Sequence, residues 1–426
     1  MNDIILILDR IVHRVSTTSQ QEMNGMHDET RSVSKVPVSL AGYDSLTVPI
    51  HRASTIRYPD AASFAARFER DADGYVYGLY GTPTHRYLEK KITELEEGAR
   101  TVLAPSGQAA VACTMLALAK SGERILIPDT VYGPVRDFAT HELPALGIEA
   151  VFYDPLDLKE LDGLINSSTR LVWAESPGSV TLEMQDVPAI VEMAHARGVL
   201  VGCDNTWASP LNFRPLRHGA DVVVEALSKH LSGHSDLILG SVTARDDSLG
   251  LKLKAAFGRL GIGTSPDDCA LVARGIETLA VRLKRSSASG LEIAAWLARH
   301  PCVETVSHPA LPEDPGHEIW QRDFSGACGV FTFTLKQRYA DQAFSALDTL
   351  ELISIGASWG GTKSLIAPTS VKALRSVRPW TGPDYLFRLS VGVEHPDDLR
   401  RDLERFFAAL TLNAATAAKG NAMMVQ

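Results

Sequence analysis

Two side chains dominate the chemistry open to this chain. They are the amine of Lys229, in Val222-Val223-Val224-Glu225-Ala226-Leu227-Ser228-Lys229-His230, and the carboxylate of Asp204, in Cys203-Asp204-Asn205-Thr206. Each follows an apolar run that reads as a strand, so both are expected at the carboxyl edge of one sheet, where α/β folds hold ligands. A pyridine aldehyde cofactor needs this pair. The amine condenses with the aldehyde, and a carboxylate facing the ring nitrogen keeps it protonated so that the ring accepts electrons. Taken singly, Lys229 reads as a surface lysine and Asp204 as a helix or turn cap.

Three further features fit such a site. The turn Pro105-Ser106-Gly107-Gln108-Ala109 opens a helix whose free N–H groups suit a phosphate dianion. Tyr132 follows the strand Arg124 to Pro128 and is placed to lay its ring on an aromatic face, a buried core tyrosine being the alternative. Arg388 sits in the alternation Phe387-Arg388-Leu389-Ser390-Val391. Turned inward it grips an anion such as a substrate carboxylate; turned outward it is an ordinary strand arginine.

The elements that position these residues are short apolar strands alternating with helices. A short strand around Val102 and Leu103 is followed by strands at Arg124 to Pro128, Ala150 to Tyr153, Leu171 to Ala174, Leu200 to Cys203, Asp221 to Ala226 and Leu239 to Thr243. Helices are expected from Thr84, from Gln108 and over Val187 to Arg197, which together imply a parallel α/β sheet covered on both faces. After about Thr278 the pattern changes. A helix over Gly290 to His300, a strand pair at Val303 to Ser307 and Gly329 to Leu335, and a last helix over Pro396 to Leu410 predict a smaller α+β domain. The expected division is a tail over 1–35, an arm over 36–83, a large domain over 84–278 and a small domain over 279–426.

Bulk composition narrows the partners. The chain has 426 residues, 45% hydrophobic and 22% charged, which is ordinary for a folded globular protein. A net charge of -9 gives no footprint for nucleic acid or an anionic membrane and favours a small-molecule partner. Five scattered cysteines without a Cys-x-x-Cys pair predict reduced thiols, a cytoplasmic location and no metal site. The apolar run Ile4 to Leu8 is too short for a signal core or a membrane span, and the first ~35 residues read as a disordered tail. No Gly-x-Gly-x-x-Gly turn follows an early strand, which counts against a dinucleotide-binding oxidoreductase.

Longer motifs extend the reading. From about Pro49 to the last helix the chain resembles the Cys/Met-metabolism family of pyridoxal-phosphate enzymes, in particular its cystathionine β-lyase branch. The resemblance rests on Tyr77-Gly78-Leu79-Tyr80-Gly81-Thr82-Pro83-Thr84-His85, Glu175-Ser176-Pro177-Gly178-Ser179, Val201-Gly202-Cys203-Asp204-Asn205-Thr206-Trp207, Ser228-Lys229-His230-Leu231-Ser232-Gly233-His234-Ser235-Asp236, His308-Pro309-Ala310-Leu311-Pro312 and Ser358-Trp359-Gly360-Gly361.

The resemblance implies an aspartate-aminotransferase-like (fold type I) architecture and a homotetramer with active sites shared across a dimer interface. It also implies Lys229 as the cofactor-binding lysine, Asp204 on the ring nitrogen and Tyr132 stacked on the ring. Gly107, Gln108 and Ser228 would cradle the phosphate, and Tyr77 would reach it from the neighbouring subunit. Ser358, Trp359 and Arg388 would hold the substrate. The implied reaction is β-elimination of L-cystathionine, or related cysteine S-conjugates, to homocysteine, pyruvate and ammonia; γ-elimination or γ-replacement on another amino acid is the alternative, and a relative that has lost activity is a third reading. Leu79 stands where the family has a phosphate-binding arginine, with Arg86 the candidate replacement, and Ala357 and Lys363 depart from the family pattern near the substrate carboxylate.

Overall fold

The computed structural model describes residues 42, 45–69 and 72–424. The expected 1–35 tail lies outside these residues. From Thr47 onward the chain forms one compact unit.

Seven strands build the main sheet: β1 (Arg100–Ala104), β2 (Arg124–Pro128), β3 (Glu149–Tyr153), β4 (Thr169–Glu175), β5 (Leu200–Asp204), β6 (Val222–Glu225) and β7 (Gly240–Ala244). Their order is β1-β7-β6-β5-β4-β2-β3. The run from β6 to β3 is parallel. Strand β7 departs from the all-parallel expectation, because it runs antiparallel to both β1 and β6. Leu126, Val172, Val201 and Cys203 pack into one core, whereas Ile125, Ile127, Trp173 and Val224 pack into another. Apolar residues on both faces bury the sheet on both sides, as parallel sheets require.

A second sheet contains β8 (Val303–Ser307), β9 (Val330–Leu335), β10 (Ser354–Ile355), β11 (Leu365–Thr369) and β12 (Leu386–Ser390), in the order β10-β11-β12-β9-β8. Strand β12 pairs antiparallel with β9 and β11, so Arg388 lies opposite Thr332 and Ala367. The core beneath β4 and β5 continues into Phe331, Phe333, Phe387 and Leu389 of this sheet. Each fully buried side chain of this size contributes roughly 1.5–3 kcal/mol, so β12 is held to the sheet that carries Asp204.

The helix expected over Gly290 to His300 runs instead over Leu279–Leu297. Its weak-propensity run of Ser286, Ser287, Ser289 and Gly290 stays helical because Gly290 lies directly against Gly329. The last helix, Pro396–Met424, also extends past the expected end.

Candidate active site

The carboxyl edge of the main sheet opens into a cavity of about 590 Å³, a size that suits a small-molecule or cofactor site. Asp204 is the last residue of β5, and Thr206 donates its backbone N–H to Asp204 Oδ1 at 2.9 Å. Enclosure raises the Asp204 pKa, while Thr206 and the charge of Lys229 oppose the rise. Lys229 lies four residues beyond the end of β6, on the turn that its N–H closes onto Ala226 O at 3.0 Å. Burial, reinforced by Arg388, pulls its amine down to about 8, with Asp204 acting the other way.

Lys229 Nζ donates to Ser358 Oγ at 2.7 Å and stands 5.6 Å from the centre of the Trp359 ring. Ser358 has a φ of 76°, a left-handed conformation that is rare for a residue with a side chain and recurs at functional sites. Its carbonyl accepts from Arg388 Nη2 at 3.2 Å. Arg388 lines the cavity, and among the described residues no carboxylate stands within ion-pair distance of it. A mostly buried guanidinium so placed has the chemistry to grip an anion. Burial also holds its pKa below the usual arginine value.

Tyr132 precedes the helix Gly133–Ala145 and is 43% exposed, its ring on the cavity wall and its phenol pKa raised by burial. Asp129, just upstream, accepts from Ser376 N at 3.0 Å and from Arg136, so the Tyr132 turn is tied to the loop at 375–378. Ser106 caps the helix Gly107–Leu118 by accepting from Ala109 N. The first-turn residues Gly107 and Gln108 line the cavity, and a Cβ at Gly107 would stand 2.6 Å from Ala226 Cβ. Only glycine allows this close approach.

The other expected residues are placed as follows. Ser228 lines the cavity, but its hydroxyl donates to Leu239 O at 3.1 Å and accepts from Leu239 N at 3.0 Å. Tyr77 is 49% exposed, pairs through an isolated bridge with Thr55, and does not line the cavity of its own chain. Arg86 is the candidate replacement for the arginine missing at Leu79. Its guanidinium is buried and committed to Glu89, Tyr80 O and Asp73 O, and it does not reach the cavity. Leu79 lines a separate small cleft with Tyr80 and Phe257. Ala357 does line the main cavity; Lys363 is exposed outside it.

Glu175 and Thr206 line the cavity but were not singled out from the sequence as site residues. Glu175 ends β4 and accepts from the Tyr132 backbone N–H at 2.8 Å. Thr206 accepts from Ala226 N at 2.9 Å, linking the Asp204 segment to the Lys229 segment. The only sequence signal for Glu175 was its motif with Pro177, which does not reveal its partner.

The residues fit pyridoxal phosphate. The start of helix Gly107–Leu118 lines the cavity, the buried Gln108 Oε1 has no partner, and an amine and a carboxyl face the same cavity. The fold and cavity together define a fold type I pyridoxal-phosphate enzyme. The chain belongs to the Cys/Met metabolism PLP-dependent enzyme family, whose model matches residues 29–408.

It is 40% identical to a putative cystathionine beta-lyase of Rhizobium johnstonii, over 90% of this chain and 96% of that one. It is 38% identical to cystathionine beta-lyase MetC of Escherichia coli, over 85% and 93% of the two chains. Identity is also 38% to an L-alanine/L-glutamate racemase of Wolbachia pipientis, over 87% and 95%. The crystal structure of cystathionine gamma-lyase from Lactobacillus plantarum complexed with L-serine superposes with a TM-score of 0.79 at 29% identity, covering 87% of this chain and 96% of that chain.

Proposed function

We propose that this enzyme is a carbon–sulfur lyase that β-eliminates L-cystathionine or related cysteine S-conjugates. The observation that carries the reading is the Lys229 amine, 2.7 Å from Ser358 Oγ, in one cavity with Asp204, Tyr132 and Arg388. Similarity to two cystathionine β-lyases supports the choice of leaving group.

In this reading, bound pyridoxal phosphate supplies an electron sink for the pair left by α-proton removal. Lys229 holds the cofactor and, once released from it, takes the α proton at an amine whose pKa near 8 suits a base at neutral pH. Arg388, with Ser358 and Trp359 beside it, holds the substrate carboxylate. Asp204 would keep the cofactor ring nitrogen protonated, and Tyr132 would stack on the ring. Gly107, Gln108 and Ser228 contribute to the phosphate site. The C–S bond breaks with its electron pair going to sulfur, and Lys229 delivers the proton to the leaving thiolate. Water then converts the three-carbon remainder to pyruvate and ammonia.

The arm over 36–83 is proposed to carry Tyr77 to a neighbouring subunit of a homotetramer; exposed Phe64, Phe68 and Tyr77 support an interface there. Residues 84–278 and 279–426 act as large and small domains. Five buried free thiols suit a reducing cytoplasm, and no helix among the described residues is long and apolar enough to cross a membrane.

The test is a product-resolved assay of the purified protein on cystathionine, S-alkyl cysteines, γ-substituted amino acids and L-alanine. Pyruvate with homocysteine is expected. Release of 2-oxobutyrate, or racemisation without elimination, would overturn the assignment.

A further inference from the structure

Asp204 is not alone at the carboxyl edge of the sheet. Glu175 ends β4, Asp204 ends β5, and the two are register partners on adjacent parallel strands. Both line the cavity. Two carboxylates on neighbouring strand ends within an enclosed site disfavour each other's ionisation.

The surroundings decide which of the two is protonated the more readily. Asp204 accepts from Thr206 and lies in the positive field of Lys229. Glu175 has only the Tyr132 N–H at 2.8 Å and a more distant cation, Arg375. That arginine is already committed to Glu183 at 3.1 Å and to Thr181. The titratable groups that interact with Glu175 are therefore Asp204 and Cys203 from β5, Tyr132 from the turn before Gly133–Ala145, and Arg375 from the 375–378 loop.

We propose that Glu175 is a positioning residue that works as the neutral acid, holding the Tyr132 turn through its carbonyl oxygen and leaving the negative charge of the sheet edge to Asp204. Enclosure and the Asp204 charge both push the Glu175 pKa well above the usual carboxylate range, in agreement with that geometry. A carboxylate at 175 would add a second buried negative charge next to that of Asp204. The inference rests on the functional reading above, but the protonation state of Glu175 is testable without it.

The experiment compares wild type, Glu175→Gln and Glu175→Leu as full-length protein, with and without cofactor. The infrared difference spectrum between wild type and Glu175→Gln at neutral pH should show a lost protonated-carboxyl C=O band in both forms; loss of a carboxylate band instead overturns the proposal. Glu175→Gln keeps a neutral acceptor for Tyr132 N–H, so its kcat/KM should stay within about 3-fold of wild type with an unchanged pH midpoint. Glu175→Leu, lacking the acceptor, should lose about 10-fold or more in kcat. Equal losses in both variants, or no loss in Glu175→Leu, overturn the positioning role. Should Glu175→Leu fail to fold, the Gln variant and the infrared band still decide. An inactive wild type with the expected band would sink the lyase reading and leave the acid assignment standing.

Discussion

Lys229 Nζ donates to Ser358 Oγ at 2.7 Å, and the carbonyl of the same serine accepts from Arg388. One residue in a left-handed conformation therefore joins the amine of the main sheet to the cation of the second sheet. Losing a hydrogen bond to a charged partner costs about 1.5–3 kcal/mol. Ser358→Gly keeps the φ of 76° accessible while removing the hydroxyl. It should lower kcat/KM by roughly 10- to 100-fold with cofactor still bound. Steady-state kinetics with a cofactor absorbance check measure this; an unchanged kcat/KM removes Ser358 from the account.

Lys229 attacks an aldehyde only as the neutral amine. With its pKa near 8, the rate at which apoenzyme takes up pyridoxal phosphate should rise with pH to a midpoint near 8. Because Arg388 helps to depress that value, Arg388→Leu should move the midpoint upward and also raise KM for substrate. Stopped-flow uptake across pH decides. A midpoint near the usual lysine value in wild type, or a downward move in the variant, contradicts the described field.

Asp204→Asn keeps shape but removes charge. The variant should still bind cofactor and stay coloured, with kcat reduced by roughly 10²–10³-fold, the scale of losing one electrostatic stabiliser. Single-turnover absorbance should show substrate binding without elimination. Wild-type turnover would discard the electron-sink role.

Away from the cavity, Glu96 at the end of helix Pro83–Glu96 meets Glu225 at the end of β6, both buried, with Asn205 Nδ2 donating to Glu225 Oε1 at 3.0 Å. Burial pushes Glu96 up to about 8, and burial with the Glu96 charge pushes Glu225 up as well. For a raised acid the stability contribution is complete below the unfolded value near 4.5 and is lost as pH rises through about 8. Glu96→Gln removes that titration. Its stability relative to wild type should therefore rise by about 1.4 kcal/mol per pH unit for each proton, between roughly pH 5 and 8. Thermal melts across that range give parallel curves if the pair does not share a proton.

Much of the site was legible locally. Lys229 and Asp204 each follow an apolar strand, so their common edge could be read from short-range pattern, and Gly107 announced a helix start. What joins them was not legible: the Lys229–Ser358 bond spans 129 residues and the Glu175–Tyr132 bond 43, and neither leaves a periodic trace. Alternation gives a strand but not its direction, so β7 was misread as parallel; its link to β6 has no crossover helix, which was the available clue. The helix Leu279–Leu297 was cut short because Ser and Gly propensity speaks against it, and only the packing of Gly290 on Gly329 reverses that.

Covalent attachment of the cofactor to Lys229 is directly measurable. Borohydride reduction of the yellow holoenzyme, followed by peptide mass mapping, should place one pyridoxyl adduct on Lys229 and none in Lys229→Ala. An adduct on another lysine, or a protein that stays colourless and unlabelled after incubation with pyridoxal phosphate, would contradict the account.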